Sequence, residues 1–405
     1  MSKLQTLIDN KGLGAKYMID EITKIIKTLP KRDPGSEGEK LTCEYMADVL
    51  KNDCGCEDVK IESFKENPGS FYGWLYITLT CMLIAVVTFF VNLAWISVIL
   101  ILFGLLTAVL QFGLYFKFVD KLFPEKTGHN VTAVKKCTGE TKRRIFFNGH
   151  VDAAWEWPVN YLLGGVGFES HAIIGFAGAF YYLALSIIKL ATGAALTKCA
   201  LWGLIFVPFW LGLYFLWNKK RIVDGANDNL TGCYMGITLL KMMKDAGITL
   251  ENTEVGVIIT GSEEAGLRGA YAWSDAHKND FNDVPTFIIS YDTIHDPKQL
   301  MVNYRNLNGT VKTDKEVGDL FFEAAEDLGI FCKKGMVPPL GGATDDAAFA
   351  KAGLRATGIT GLNHKLENYY HTRRDTYDNM NEQGLADCYA VSVRALEMFD
   401  EGAKQ

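Results

Sequence analysis

Apolar positions recur at three- and four-residue spacing over Tyr17–Leu29 and Glu37–Asn52, which predicts two amphipathic helices. Short apolar runs at Val59–Phe64, Asn130–Lys135, Arg144–Asn148, Glu254–Thr260 and Thr286–Ser290 predict strands. Between and after them, Gly232–Ala246, Ala265–His277 and Asp314–Leu328 return to the helical period. Such alternation predicts an α/β fold, a mostly parallel mixed sheet sandwiched by helices. Sheets of this kind bind ligands beyond the carboxyl ends of their strands.

Two stretches break the rhythm. Between Glu66 and Lys117 lie 50 residues without an Asp, Glu, Lys or Arg. A span needs about 20 residues to cross a hydrocarbon core of roughly 30 Å, so this length predicts two spans, near 73–92 and 95–116, turning around Asn92. Trp74, Trp95 and Tyr115 fall near the expected interfaces. The second stretch has 19 uncharged residues over 170–188, a tip marked by Lys189 and Lys198, and 20 more over 199–218. Pro208 is expected to kink the last span. Two transmembrane hairpins, 67–118 and 171–218, would thus interrupt one domain built from 1–66, 119–170 and 219–405. Each hairpin returns the chain to the same side. Lys117, Lys121, Lys126, Lys219, Lys220 and Arg221 crowd that side, so a multi-pass protein with its domain in the cytoplasm is expected.

The remaining composition narrows the possibilities. With 41 Lys+Arg against 47 Asp+Glu, the net charge is −6, and no basic block marks a nucleic-acid partner. Nine scattered cysteines, an odd number, suit a reducing compartment. Met1–Lys16 is polar, so no leader peptide is expected there. The oligomeric state is left open.

Polar residues of metal-binding type collect at the predicted strand ends. "FFNGHVDAAWEW" carries His150 and Asp152, "VDGANDNLTG" carries Asp224 and Asp228, "VGVIITGSEEAGLRGA" carries Glu263 and Glu264, and "TFIISYDTIHD" carries Asp292. "NYYHTRRDTYDNM" adds Tyr370, His371 and Asp375. Apolar strands have no reason to end in carboxylate pairs unless something cationic compensates them. One His, a shared Asp and another carboxylate can fill one metal site; the shared Asp, a Glu and a second His can fill another. Nitrogen and oxygen donors suit zinc. Two such ions about 3.5–4 Å apart polarise a carbonyl and bring the pKa of a water near neutrality. A neighbouring carboxylate left free can carry the proton to the leaving amine.

These motifs, together with "DPGSEGEKLTCEYMADVLK", resemble the co-catalytic zinc metallopeptidases of the aminopeptidase Y type, a family that includes glutamate carboxypeptidase and the glutaminyl cyclases. The resemblance covers the chain outside the hairpins. It implies two Zn2+ (Co2+ or Mn2+ could use the same donors), with His150 and Asp292 on the first, Glu264 and His371 on the second, and Asp228 bridging. By the same resemblance Glu263 is the general base, Asp152 supports His150, and Tyr370 donates to the tetrahedral oxyanion. Asp375 is expected to orient the His371 loop. Two departures stand out. His150 and Asp228 lie 78 positions apart with a hairpin between them, and Thr344-Asp345-Asp346-Ala347-Ala348-Phe349 lacks the family's histidine.

The expectation is therefore a membrane-anchored di-zinc hydrolase of amide bonds, an aminopeptidase acting on peptides. A second reading keeps the chemistry but takes N-acyl amino acids or very apolar peptides from the bilayer. Glutaminyl-cyclase-like acyl transfer and a non-catalytic receptor-like domain are further readings. Arg268 and Arg305 are the arginines considered for gripping a substrate carboxylate; His129, His171, His277, His295 and His364 are expected to be ordinary.

Overall fold

The computed structural model describes residues 4–402 apart from Leu340 and His364. The chain opens with α1 (Gln5–Asp9), α2 (Lys11–Thr28) and α3 (Glu37–Asp48). Strand β1 (Asp58–Glu66) leads into α4 (Ser70–Phe90) and α5 (Ala94–Ala108), and β2 (Lys126–Lys135) returns beside β1. Then come β3 (Arg143–His150), β4 (Trp155–Glu156), α6 (Pro158–Thr192), α7 (Thr197–Gly203), α8 (Val207–Tyr214) and β5 (Asn218–Ile222). The next stretch is α9 (Thr231–Asp245), β6 (Thr253–Thr260), α10 (Arg268–His277), β7 (Thr286–Ile294) and β8 (Met301–Asn303). Finally β9 (Arg305–Asn306), β10 (Val311–Lys312), α11 (Lys315–Asp327), β11 (Lys333–Gly335), α12 (Asp346–Lys351), β12 (Arg355–Gly361) and α13 (Glu382–Asp400) complete the chain.

One eight-stranded sheet organises the domain, in the order β1-β2-β6-β3-β7-β12-β8-β11. The centre, β6-β3-β7-β12, is parallel. β1 and β2 are antiparallel additions at one edge, and β8 runs antiparallel to β12 at the other. Alternate residues of each strand face opposite sides. Ile145 and Phe147 enter a core with Met18, Leu239 and Leu396 of α2, α9 and α13. Phe146 and Ile288 enter a second core with Trp273 of α10 and Phe349 of α12. That second core continues without interruption into Trp74, Ile101, Tyr182 and Trp210 of the apolar helices, which are thereby packed onto the sheet domain.

Among the described residues, four helices are long and apolar enough to cross a membrane: Ser70–Phe90, Ala94–Gly113, Pro158–Thr192 and Thr197–Tyr214. The third starts well before the expected Ser170, because its first turns form a foot that bends at Gly164, where φ is +68°. The fourth is broken by a 3-10 turn over Leu204–Phe206, with Pro208 in the first turn of the helix that follows. Proline carries no N–H to donate, so the break sits where the chain can tolerate it.

The foot of the first hairpin is locked by buried polar groups. Asp120 accepts from Ser70 Oγ (2.7 Å), Gln111 Nε2 (3.1 Å) and Arg268 Nη2 (2.9 Å). Arg268 opens α10, and its Nε donates to the Ala265 carbonyl 2.9 Å away. Removing one member of a buried pair leaves the other charge uncompensated, at a cost of about 3–5 kcal/mol. Asp120→Ala is expected to lose about that much in chemical or thermal unfolding, and a loss under about 1 kcal/mol would contradict the packing described.

Candidate metal centre

Three neighbouring parallel strands, β6, β3 and β7, deliver residues to one end of the sheet. His150 closes β3, Glu263 and Glu264 form a turn just after β6, and Asp292 lies near the end of β7. Asp228 comes from the segment before α9, and His371 from the loop between β12 and α13. Asp228 presents its two oxygens to two histidines: Oδ1 lies 3.3 Å from His150 Nε2, and Oδ2 lies 3.1 Å from His371 Nε2. Glu264 Oε1 is 3.0 Å from the same His371 nitrogen. Two donor groups result, His150 with Asp228 and Asp292, and Asp228 with Glu264 and His371, each with its ligand atoms within 4.8 Å of one another. Glu263 belongs to neither group; its Oε2 lies 3.8 Å from His150 Nε2.

The donors fit a cation. His150 Nε2, Asp228 Oδ2 and Glu264 Oε1 are buried without a hydrogen-bond partner, although they converge. Buried polar atoms are nearly always satisfied, and a divalent ion at each group would satisfy all three. The protonation states carry the same imprint of crowded charge. Burial alone would raise the Asp228 carboxyl, but the two imidazoles override it and hold Asp228 well below the usual range. Burial pushes Asp292 up to about 8 and raises Glu263 strongly.

The surrounding residues hold this cluster in place. His150 Nδ1 lies 3.2 Å from the Asp152 carbonyl and 3.4 Å from its Oδ1. The Asp152 carboxylate also accepts the backbone N–H groups of Glu263 (2.9 Å) and Glu264 (3.0 Å), so one side chain orients both the histidine and the acidic turn. Under that turn, Ser262 Oγ is 2.7 Å from Glu39 and 2.6 Å from Glu66. Glu39 ends the Gly35-Ser36-Glu37-Gly38-Glu39 motif, whose Ser36 caps α3. A Cβ at Gly38 would stand 1.9 Å from the Lys31 carbonyl, so only glycine fits there.

Residues 214–396 match the sequence profile of peptidase family M28. The M28 region holds Asp228, Glu263, Glu264, Asp292, Tyr370 and His371, while His150 and Asp152 lie before it. Solved structures resemble the chain in fold over nearly its whole length. The zinc aminopeptidase BSAP from Bacillus subtilis is 13% identical with a TM-score of 0.56, covering 94% of both chains. The aminopeptidase from Aneurinibacillus sp. strain AM-1 is 14% identical with a TM-score of 0.56, over 95% of this chain and 93% of that one. A Bacteroides thetaiotaomicron glutaminyl cyclase bound to N-acetylhistamine is 12% identical with a TM-score of 0.54, over 96% and 97%. At these identities the likeness is one of fold. No curated protein matches the chain.

Several sequence-based expectations need adjusting around this cluster. Asp375, in the His371 loop, also reaches the Asp228 segment: its carboxylate accepts from the N–H groups of Asn227 (2.9 Å) and Asp228 (3.1 Å), tying the two together. Asp224 stands outside the cluster, paired with Lys31. Arg268 is buried against Asp120, and Arg305 donates to the Gly309 carbonyl at 3.1 Å, so neither lines the cavity. Tyr370 does line it, its ring stacked on His371 at 4.0 Å between centroids. His171 bonds to the Phe209 carbonyl between two apolar helices, and His364 lies outside the described residues.

The sequence offered little signal for the clamp that rejoins the interrupted chain. β4 and β5 pair antiparallel and pinch together the ends of the second hairpin. Arg32, fully buried, donates to the carbonyls of Val151 (2.8 Å), Asp224 (2.7 Å) and Gly225 (3.0 Å), and so joins the two sides of the insertion. From the hairpin's foot, Trp157 N–H donates to the His371 carbonyl (2.8 Å) and Asn160 to that of Tyr370 (2.7 Å). Glu156 takes a two-pronged contact from Arg373 at 2.6 and 2.7 Å.

This support can be tested in two ways. Outer residues that orient ligands typically contribute 10–100-fold to metal affinity; Asp152→Ala is expected to weaken binding by about that factor in chelator competition, and unchanged affinity would contradict its role. Burial raises Glu66 to about 7, above an unfolded value near ~4.3. The protonated acid therefore contributes stability at low pH that disappears as pH rises toward 7. The melting temperature of Glu66→Gln should climb relative to the native protein from pH ~4.5 to ~7 and then level off; a difference independent of pH would contradict this.

Proposed function

We propose that the protein is a membrane-anchored zinc metallopeptidase that hydrolyses amide bonds, with removal of an N-terminal residue from a peptide as its reaction type. The observation that carries this reading is the division of labour at Asp228: each of its oxygens faces a different histidine, while Glu263 stands beside both donor groups and belongs to neither. His150, Asp228 and Asp292 would hold one zinc ion, and Asp228, Glu264 and His371 a second. Bound zinc supplies Lewis-acid polarisation of the scissile carbonyl and acidifies a water.

The protein's own groups do the rest. Glu263, whose carboxyl burial raises well above its ordinary value, takes a proton from the attacking water and returns it to the leaving amine. Asp152 keeps the Glu263-Glu264 turn and His150 in register. Tyr370, lining the same cavity, donates its hydroxyl to the oxyanion. The four apolar helices anchor the domain, and the lysines at their feet favour the cytoplasmic side. Retention of a complete donor set argues against a non-catalytic receptor.

Glu263→Gln tests the assignment, since the amide keeps the shape but cannot carry the proton. Hydrolysis of aminoacyl amides is expected to fall by about 10²–10⁴-fold or more, with metal content unchanged from the native protein. Full activity in that variant would end the proposal.

A further inference from the structure

The cavity at the metal cluster, about 280 Å³, does not end at the cluster. Phe71, Tyr72, Phe112, Trp157 and Glu169 line it and also line a second cavity of about 110 Å³ among the apolar helices. α4 packs on α5 and α8, α5 packs on α6, and α6 packs on α8, so the four helices close a ring around this chamber. Its wall on α4 runs from Phe71 to Met82. Eleven residues of helix rise about 16 Å, half of a hydrocarbon core of roughly 30 Å. The chamber is therefore one leaflet deep, the depth that a membrane lipid's acyl chain occupies.

Its chemistry selects the occupant. The wall carries few polar side-chain groups: Thr78, Glu169, the Tyr72 hydroxyl and the indole N–H groups of Trp74, Trp157 and Trp210, the last donating to the Gly175 carbonyl at 2.8 Å. Thr78 donates to the Gly104 carbonyl at 3.0 Å, and Glu169 pairs with Lys365 at 3.0 Å at the seam with the first cavity. A peptide entering would bury more backbone N–H and C=O groups than these few side chains can bond, each unpaired one costing several kcal/mol. A hydrocarbon chain brings no such groups. Away from the chamber, Lys333 lines the metal cavity and brings positive charge to it, its Nζ donating to Gln299 at 2.7 Å.

We propose that the substrate is a long-chain N-acyl amino acid, its acyl chain in the chamber between the spans, its amide carbonyl at the metal cluster and its carboxylate toward Lys333. This rests on the amide-hydrolase reading above, keeps its chemistry and puts a fatty acyl group in place of the peptide's N-terminal residue. The amide C–N bond breaks and a C–O bond forms from water. One N-acyl amino acid anion and one water give one fatty carboxylate and one free amino acid in its zwitterionic form. Of the water's two protons, both end on the leaving nitrogen, which already carries the amide hydrogen and so departs as an ammonium group; the oxygen stays with the acyl carbon.

Binding is read separately from turnover. The Glu263→Gln protein, reconstituted in phosphatidylcholine nanodiscs, is titrated with dibromostearoyl-glycine, whose bromines quench tryptophan; Trp74, Trp157 and Trp210 line the chamber. Saturable quenching is expected, with affinity falling by about tenfold or more in Ala172→Phe, which fills the chamber near its mouth. Ala179→Leu, at the deep end, should shift the preferred acyl length downward, so the proposal stays testable if either variant misfolds by circular dichroism. Absence of saturable quenching, or equal quenching by brominated phosphatidylcholine, would overturn the proposal by showing an empty or lipid-filled chamber. Chain-dependent binding by a native protein that hydrolyses no amide would instead overturn the hydrolase reading and the reaction written here, leaving an acyl-chain site. Turnover of aminoacyl amides without chain-dependent binding would leave the hydrolase and remove the acyl substrate.

Discussion

Buried negative charge is the constraint on which this structure turns. Asp152, Asp228, Glu263, Glu264, Asp292 and Asp345 converge around two histidines at the ends of three adjacent strands. Such a concentration cannot persist away from water without compensation. Each feature of the site is a way of holding those groups in place until cations neutralise them. Asp152 commits its carboxylate to two backbone N–H groups, Asp375 does the same for Asn227 and Asp228, and Thr260 donates to Asp345. The cost of assembling the cluster is offset by the sheet behind it, whose two hydrophobic cores fix the strand ends.

The same constraint explains how a chain can be cut twice by apolar hairpins and still form one site. The second hairpin leaves the sheet shortly after Asp152 and returns just before Asp228, so its ends must lie close together. The β4–β5 ribbon and the Arg32 guanidinium bring them together, and the hairpin's foot then holds the His371 loop through Trp157, Asn160 and Glu156. The first hairpin is tied through Asp120 and Arg268 to the helix that follows the acidic turn. Both insertions thus buttress the chemistry, and the space between them opens from it.

Much of this was legible in the sequence because it rests on local signals. Strands β3, β6 and β7 are apolar runs buried on both faces, and each carries at or just beyond its end a histidine or carboxylate that a buried strand would not otherwise carry. Hydropathy alone located the four apolar helices, although the third begins at Pro158 because a kinked foot precedes it. What escaped were features made by distant pairing. The short strands β8 and β11 have too few residues for a period to emerge. Arg32 looks like an ordinary basic residue before Asp33, and nothing nearby signals that its partners are carbonyls some 120 and 190 positions away. Asp375 lay close to His371 in sequence, so its action on Asp228 was invisible until the fold brought 228 beside it.

The central claim is that the five side chains His150, Asp228, Glu264, Asp292 and His371 form a pair of adjoining metal sites. X-ray absorption at the zinc edge on the full-length protein in nanodiscs tests it most directly. The account predicts nitrogen and oxygen scatterers at about 2.0–2.2 Å and a metal–metal vector at about 3.5–4 Å. Sulfur ligation, or a protein that retains no metal after purification in the presence of zinc, would contradict it.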